Sequence, residues 1–118
     1  MNMKQFALCA ITTLPLAASP VFADDTQLLV NSSRNQLGLI KYCVAEGHIA
    51  SQAVEAYQKI VAVLPAPADA ALADQYESEG EQGYSFDGNA RVSMQEIADG
   101  TGTTIADRCA QFSALTAQ

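Results

Sequence analysis

The chain has 118 residues, which suits one small domain, and a formal net charge of −7 from thirteen acidic and six basic residues. Such a surface repels phosphate groups and anionic lipids, so nucleic-acid binding and adsorption to a membrane surface are both disfavoured. A cationic protein partner remains compatible with this charge. We predict no nucleic-acid partner and no membrane span.

The N-terminus has the three parts of a secretory signal peptide. Lys4 supplies the positive charge, and residues 6–16 form a mostly apolar run that is too short to cross a bilayer. Val21 and Ala23 occupy the two positions before the cleavage site that a signal peptidase recognises. We therefore expect cleavage after Ala23 and a periplasmic or secreted product.

Cleavage at this point removes residues 1–23, with Cys9, and leaves a single domain of residues 24–118 with a net charge of −8. Two cysteines then remain, Cys43 and Cys109, in an oxidising compartment where disulfides persist. Only one intramolecular pairing is available to them. Because that bond would close most of the domain into a ring, the chain-entropy model assigns it about 4 kcal/mol of stabilisation.

Helical periodicity predicts a first helix over residues 26–47, with a weak point at Asn31–Ser33 and an end at Gly47. Its apolar side consists of Leu37, Ile40, Cys43 and Val44. A second helix is predicted over residues 51–65, from Ser51 as its N-cap to Pro65. Its apolar stripe consists of Val54, Tyr57, Val61 and Leu64.

The third predicted helix is alanine-rich and begins around Pro67 and Asp69, with Leu72 and Tyr76 facing inward. We expect this helix to end in a polar, glycine-rich hinge with the sequence EGEQG. The alternation of YSFDGNARV around its Asp-Gly pair then predicts a small β-hairpin. Since an isolated two-stranded hairpin is marginally stable, it must pack against the helices.

Two capping boxes predict two more helices. Ser93 with Glu96 begins a short helix that Gly100 ends, and Thr104 with Asp107 begins the last helix. The inward face of the last helix consists of Ile105, Cys109 and Phe112. The predicted fold class is therefore mainly α, with four to five helices and a short β-hairpin, closed by Cys43–Cys109.

The stretch GLIKYCVAEGH places Cys43 five residues before the only histidine, His48. A cysteine nucleophile needs an exposed thiolate and a nearby base, and zinc sites usually show close Cys-x-x-Cys pairs, which are absent. We predict no catalytic residue, no metal and no cofactor. His48 remains a candidate pH-responsive group, and a hydrolase or metal-dependent activity centred on it is the enzymatic alternative.

The strongest candidates for a partner contact lie around the predicted hinge. An acidic cluster there consists of Asp74, Glu77, Glu79 and Glu81. It is followed by Tyr84 and Phe86, two aromatic residues expected to be partly exposed. For the acidic cluster we favour a solvated helix face and hinge; attraction of calcium or of a basic partner is the alternative interpretation.

Several short elements resemble the YjjA-like family, small secreted proteobacterial proteins of unknown function. They are GLIKYC, Tyr76 with Gly80 and Gly83, the DGN turn and the late Cys109. The resemblance covers about residues 35–115. It implies secretion and a helical fold with one disulfide, and it implies no activity.

The leading functional hypothesis is a non-catalytic binding or envelope-associated protein. The alternative is an acid-activated periplasmic chaperone, because the overall plan is similar to that of the HdeA-type acid-stress chaperones. Near pH 2 the thirteen carboxylates would be protonated, which would loosen the fold and expose apolar faces. The sequence does not indicate an oligomeric state.

Overall fold

The computed structural model describes residues 19–116, with side chains from Asp24 onward. This part of the chain forms five helices and one hairpin. The elements are α1 (Ser19–Ala45), α2 (Gln52–Ala62), α3 (Ala70–Glu81), β1 (Tyr84–Phe86), β2 (Arg91–Ser93), α4 (Met94–Thr101) and α5 (Ile105–Thr116). The predicted fold class, mainly helical with a short hairpin and one disulfide, is confirmed. Lys4, Cys9 and the apolar run of the predicted signal lie outside the described residues.

Helix α1 passes through Asn31–Ser33 without interruption, so the predicted weak point is wrong. Asn31 and Ser33 are buried, and the hydroxyl of Ser32 donates to the carbonyl of Leu29 within the helix. Packing of this segment therefore overrides its weak helix propensity. Within residues 19–116, no helix is long and apolar enough to cross a membrane.

The end of α1 is a Schellman motif, as the position of Gly47 predicts. Gly47 adopts a φ of +80°, a left-handed conformation that favours glycine. Its N–H donates to the carbonyl of Val44 at 3.0 Å, and the N–H of His48 donates to the carbonyl of Cys43 at 2.9 Å. The turn reverses the chain immediately after Cys43.

Helix α2 returns against α1 and forms the first of two core clusters. This cluster consists of Leu37, Ile40, Ala53 and Tyr57, with Phe112 packed against it. Ser51 occupies the predicted N-cap position, but its side chain makes no capping hydrogen bond. The helix ends at Ala62, three residues before Pro65.

Helix α3 runs parallel to α1 and lies in direct contact with it. The side chain of Asp69 caps α3 by accepting from the N–H of Leu72, as predicted. The predicted hinge is wrong in its first half, because α3 continues to Glu81 and Gly80 is buried against α1. A glycine there permits close helix packing rather than flexibility.

The second core cluster contains the disulfide. It consists of Leu39, Cys43, Met94 and Cys109, with Ile105 and Phe112 at its edge. Both cysteines are fully buried, and their Cα atoms are 5.6 Å apart. The bond joins α1 to α5 across 66 positions of sequence.

The ends of α4 and α5 follow local signals, with one exception. The capping box of Ser93 and Glu96 is complete, and Thr104 and Asp107 form a second reciprocal pair. Gly100 does not end α4, contrary to the prediction. The helix continues to Thr101, and Gly102, with φ at +69°, is its C-cap.

Candidate binding cleft beside the hairpin

The hairpin β1–β2 is clamped to the helices by the hydrogen bonds of a buried side chain, Asn35. Its amide nitrogen donates to the carbonyls of Tyr76 at 2.9 Å and Tyr84 at 3.0 Å. Its amide oxygen accepts from the N–H of Phe86 at 3.2 Å. Asn35 therefore completes the outer edge of β1 and ties it to α3, which explains how so short a hairpin is stable.

Sequence reasoning missed Asn35. The only signal was a polar residue close to the apolar stripe of α1, two positions before Leu37. Asn35 is 5% exposed. Buried polar side chains are nearly always hydrogen-bonded, but the sequence does not show to which partners.

The turn of the hairpin is organised by Asp87. Its carboxylate accepts from the N–H groups of Ala90 and Asn89, each at 2.8 Å, and these hydrogen bonds lower the pKa of Asp87. Gly88 adopts a φ of +100°, and a Cβ atom there would lie 2.7 Å from the hydroxyl of Tyr76. The Asp-Gly pair thus forms the turn predicted from the sequence.

Tyr84 and Phe86 are half-buried, and each has a defined neighbour. The ring of Phe86 packs edge-on against Tyr76 with 5.0 Å between centroids. The guanidinium of Arg91 lies 4.3 Å from the centre of the Tyr84 ring and also pairs with Glu79 at 3.2 Å. These contacts hold both aromatic residues in place.

A half-open cleft of about 280 Å³ lies beside the hairpin, between α1, β1, α4 and α5. We call it the hairpin cleft. Its lining includes Gln36, Leu39, Phe86, Ile97, Arg108 and Phe112. Its walls combine apolar side chains with an equal number of polar residues, which are Ser32, Asn35, Gln36, Ser85 and Arg108. Apolar walls with polar groups that fix a ligand's orientation are found at small-ligand sites.

The two polar side chains of greatest interest in the hairpin cleft are Arg108 and Gln36. Within the described residues, the guanidinium of Arg108 makes no ion pair or hydrogen bond. Gln36 accepts from the hydroxyl of Tyr57 at 3.1 Å through its amide oxygen. Burial raises the pKa of Tyr57, although a hydrogen bond with Ser33 opposes the change, so its hydroxyl stays protonated as a donor.

The predicted acidic cluster is engaged with cations of the same chain. Arg34 pairs with Asp74 and Glu77 at 2.6 Å each, and Lys41 pairs with Glu77 at 2.6 Å and Glu81 at 3.2 Å. Three of the cluster's four carboxylates therefore bind α3 to α1. The fourth, that of Glu79, is the partner of Arg91 in the hairpin.

Glu77 is the centre of this α1–α3 ion network. Burial of Glu77 acts to raise its pKa, but the hydrogen bonds from Lys41 and Arg34 outweigh burial, and the pKa is lowered. The hydrogen bond to Glu77 in turn raises the pKa of Lys41, against the effect of burial. Glu77 is thus charged at neutral pH and bridges two cations of α1.

His48 lies just after α1 and is exposed. Its backbone N–H closes the Schellman motif, whereas its side chain makes no hydrogen bond or ion pair with a described residue. The sulfur of Cys43 is bonded to Cys109. From residue 24 to residue 116, no three His, Cys, Asp or Glu side chains are grouped so as to hold a metal ion.

The comparisons with known proteins found no family model, no curated protein and no solved structure that matches this chain. Function is therefore inferred from three features of the described residues. They are the clamped hairpin, the cleft beside it and the ion network between α1 and α3.

Proposed function

We propose that the mature chain is a secreted or periplasmic, non-catalytic binding protein that meets a protein partner through its hairpin. The contact surface, here called the hairpin surface, includes both faces of the hairpin: Tyr84, Phe86 and Arg91 lie on one face, and Val92 lies on the other. The buried disulfide supports an oxidising compartment, as does the predicted signal peptide.

The observation that carries this proposal is the clamp formed by Asn35 on β1. A hairpin fixed by a buried side chain loses little conformational entropy when a partner binds to it. The hairpin surface also combines two aromatic residues and an arginine with Val92, which is 42% exposed. Aromatic residues and arginine are enriched at the centres of protein interfaces.

The acidic cluster has a smaller part in this proposal than its sequence suggests. Glu77 and Glu81 are paired with Lys41, so a cationic partner would have to compete with an existing ion pair. Glu79 lies closer to the proposed contact, since it positions Arg91 over Tyr84. We therefore assign the contact to the hairpin, with Glu79 as its acidic member.

A pull-down tests the hairpin surface. The purified mature protein is used as bait against an extract of envelope and culture medium from the source cells. Val92→Asp is compared with Val63→Asp, because both valines are exposed and Val63, at 82%, lies at the end of α2. We expect one dominant partner that wild type and Val63→Asp recover and that Val92→Asp loses.

The proposal would be refuted if wild type recovered nothing beyond an empty matrix. It would also be refuted if Val92→Asp recovered the same partner as Val63→Asp. Repeating the pull-down at increasing salt then separates the contributions to the contact, because exposed charge pairs are screened by salt whereas apolar contacts are not.

The α1–α3 ion network favours acid-activated chaperoning as a second candidate function. Protonation of Glu77 would remove its bridge between Arg34 and Lys41, and with it two of the four ion pairs that join α1 to α3 among the described residues. This candidate predicts binding of an apolar dye and suppressed aggregation of client proteins at pH 2–3. If the protein at that pH binds no dye and does not protect clients, the candidate is eliminated.

A further inference from the structure

We propose that the hairpin cleft binds a small organic carboxylate, whose charged group pairs with Arg108 and whose compact apolar group lies among the cleft's apolar side chains. This inference extends the proposed binding function and rests on it in treating the hairpin side of the molecule as the binding side. It adds a ligand class and a site that adjoins the protein contact and shares Phe86 with it.

The charge of Arg108 is available, unlike that of most cations in the mature chain. Arg34 and Lys41 are paired with α3, and Arg91 is paired with Glu79. Lys59, on α2, does not line the hairpin cleft. Among described residues, Arg108 thus combines a place in the cleft with a guanidinium that has no partner, and guanidinium groups bind carboxylates with two parallel hydrogen bonds.

A second donor is present in the same cleft. Because the amide oxygen of Gln36 is occupied by Tyr57, its two N–H groups remain as donors, and neither has a partner among the described residues. An arginine and an amide N–H together suit an oxyanion, which accepts hydrogen bonds only. Arg108 and the free N–H groups of Gln36 are therefore complementary to a carboxylate, and the positive charge of Arg108 disfavours a cation.

The size and the walls of the hairpin cleft define the rest of the ligand. Ligand pockets commonly measure about 300–1,000 Å³, and this cleft, at about 280 Å³, lies just below that range. Leu39 and Met94 are nearly fully buried at its base, and Phe86, Ile97 and Phe112 are half-buried around it. Such a cleft suits one ring or a short alkyl chain.

The acidity of the whole chain does not prevent anion binding at this place. At physiological ionic strength the Debye length is about 8 Å, so exposed charges farther away are largely screened. The affinity for an anion therefore depends mainly on the charge that lines the cleft, which is that of Arg108. Binding should weaken as salt increases, because the ion pair is half-exposed.

The test titrates 3-phenylpropionate and octanoate into the purified mature protein, followed by NMR chemical shifts. The matched ligand control is 3-phenylpropionamide, which has the same shape without the charge. The variant is Arg108→Gln, and its control is Lys59→Gln, which removes one positive charge outside the cleft. Thermal unfolding confirms that each variant is folded.

We expect saturable shifts at Gln36, Ile97 and Phe112 with at least one carboxylate. The amide should bind at least tenfold more weakly, and Arg108→Gln should lose at least tenfold in affinity while Lys59→Gln stays within twofold of wild type. Neither carboxylate causing saturable shifts at these residues would overturn the proposal, as would equal binding of the acid and the amide.

The amide comparison uses the wild-type protein, so it decides the matter even if Arg108→Gln fails to fold. The titration contains no protein partner. A failed titration therefore leaves the pull-down result standing, and a failed pull-down leaves the titration standing.

Discussion

The backbones of Gly38 and Gly80 touch where α1 crosses α3. A Cβ atom built on Gly38 would lie 2.9 Å from the Cα of Gly80, and one built on Gly80 would lie 2.7 Å from the amide nitrogen of Leu39. Both distances are shorter than real Cβ atoms accept, and the obstructing atoms are backbone. The absence of side chains at these two positions sets the separation of the helices, and hence the position of the hairpin that follows α3.

Gly80→Ala should therefore destabilise the protein by about 1–3 kcal/mol, the usual cost of overpacking, although alanine is the better helix former. The measurement is the free energy of unfolding in urea. Gly100→Ala is the matched control, because Gly100 lies within α4 and a Cβ atom there meets open space. That control should stabilise by about 0.5–1 kcal/mol, and a neutral Gly80→Ala would contradict the close crossing.

Glu77→Gln should lower the free energy of unfolding by about 1.5–3 kcal/mol at pH 7, because Arg34 and Lys41 lose a charged hydrogen-bond partner. The folded-state pKa of Glu77 lies below its ordinary value of 4.5. Its contribution is thus complete above about pH 4.5 and is lost as the pH falls through the folded pKa.

Stability measured from pH 7 to pH 2 checks the origin of this effect. The difference between wild type and Glu77→Gln should shrink below pH 4.5 and vanish once Glu77 is protonated. Glu55→Gln, at an exposed position of α2, serves as the control and should follow the wild-type curve. A difference that stays constant with pH would mean that Glu77 acts through packing and not through its charge.

Asn35→Ala should release the hairpin, because two carbonyls and one N–H would lose their partner. We expect a loss of about 1–3 kcal/mol and faster hydrogen exchange at the N–H of Phe86. Asn89→Ala, in the exposed turn, is the control for replacing an asparagine near the hairpin. Unchanged exchange at Phe86 in Asn35→Ala would show that the hairpin is held in another way.

Reduction of Cys43–Cys109 should destabilise the protein by about 4 kcal/mol, because the open chain regains conformational freedom when unfolded. The change is measured as the urea midpoint with and without reductant. A double variant, Cys43→Ala with Cys109→Ala, should be similarly destabilised and insensitive to reductant. Intact-mass analysis that found both thiols alkylated without prior reduction would refute the bond.

Local chemistry made part of this molecule predictable from its sequence. The caps at Asp69 and Ser93, the turn at Asp87–Gly88 and the end of α1 at Gly47 each involve hydrogen bonds between residues two to five positions apart. The disulfide was predictable for a different reason, since the expected signal cleavage would leave two cysteines, which have a single intramolecular pairing.

Predictions failed where a residue's role depends on a distant neighbour. Gly80 was interpreted as part of a hinge and Asn31–Ser33 as a weak point because their propensities favour turns, yet packing against other elements keeps both segments helical. The acidic cluster was expected mainly to be a solvated face, whereas Arg34 and Lys41, some 40 positions earlier in the chain, pair with it.

The sequence by itself determined the helical segments, the caps at Asp69, Ser93 and Thr104, the hairpin turn and the cysteine pairing, because these depend on short-range geometry or on simple counting. Only the tertiary structure decided that Gly38 meets Gly80 and that Asn35 clamps β1. It also decided that Arg108 lines a cleft in which, among the described residues, its guanidinium makes no ion pair. Each of these depends on how helices pack at short distance, and packing is a property of surfaces that no short segment of sequence contains.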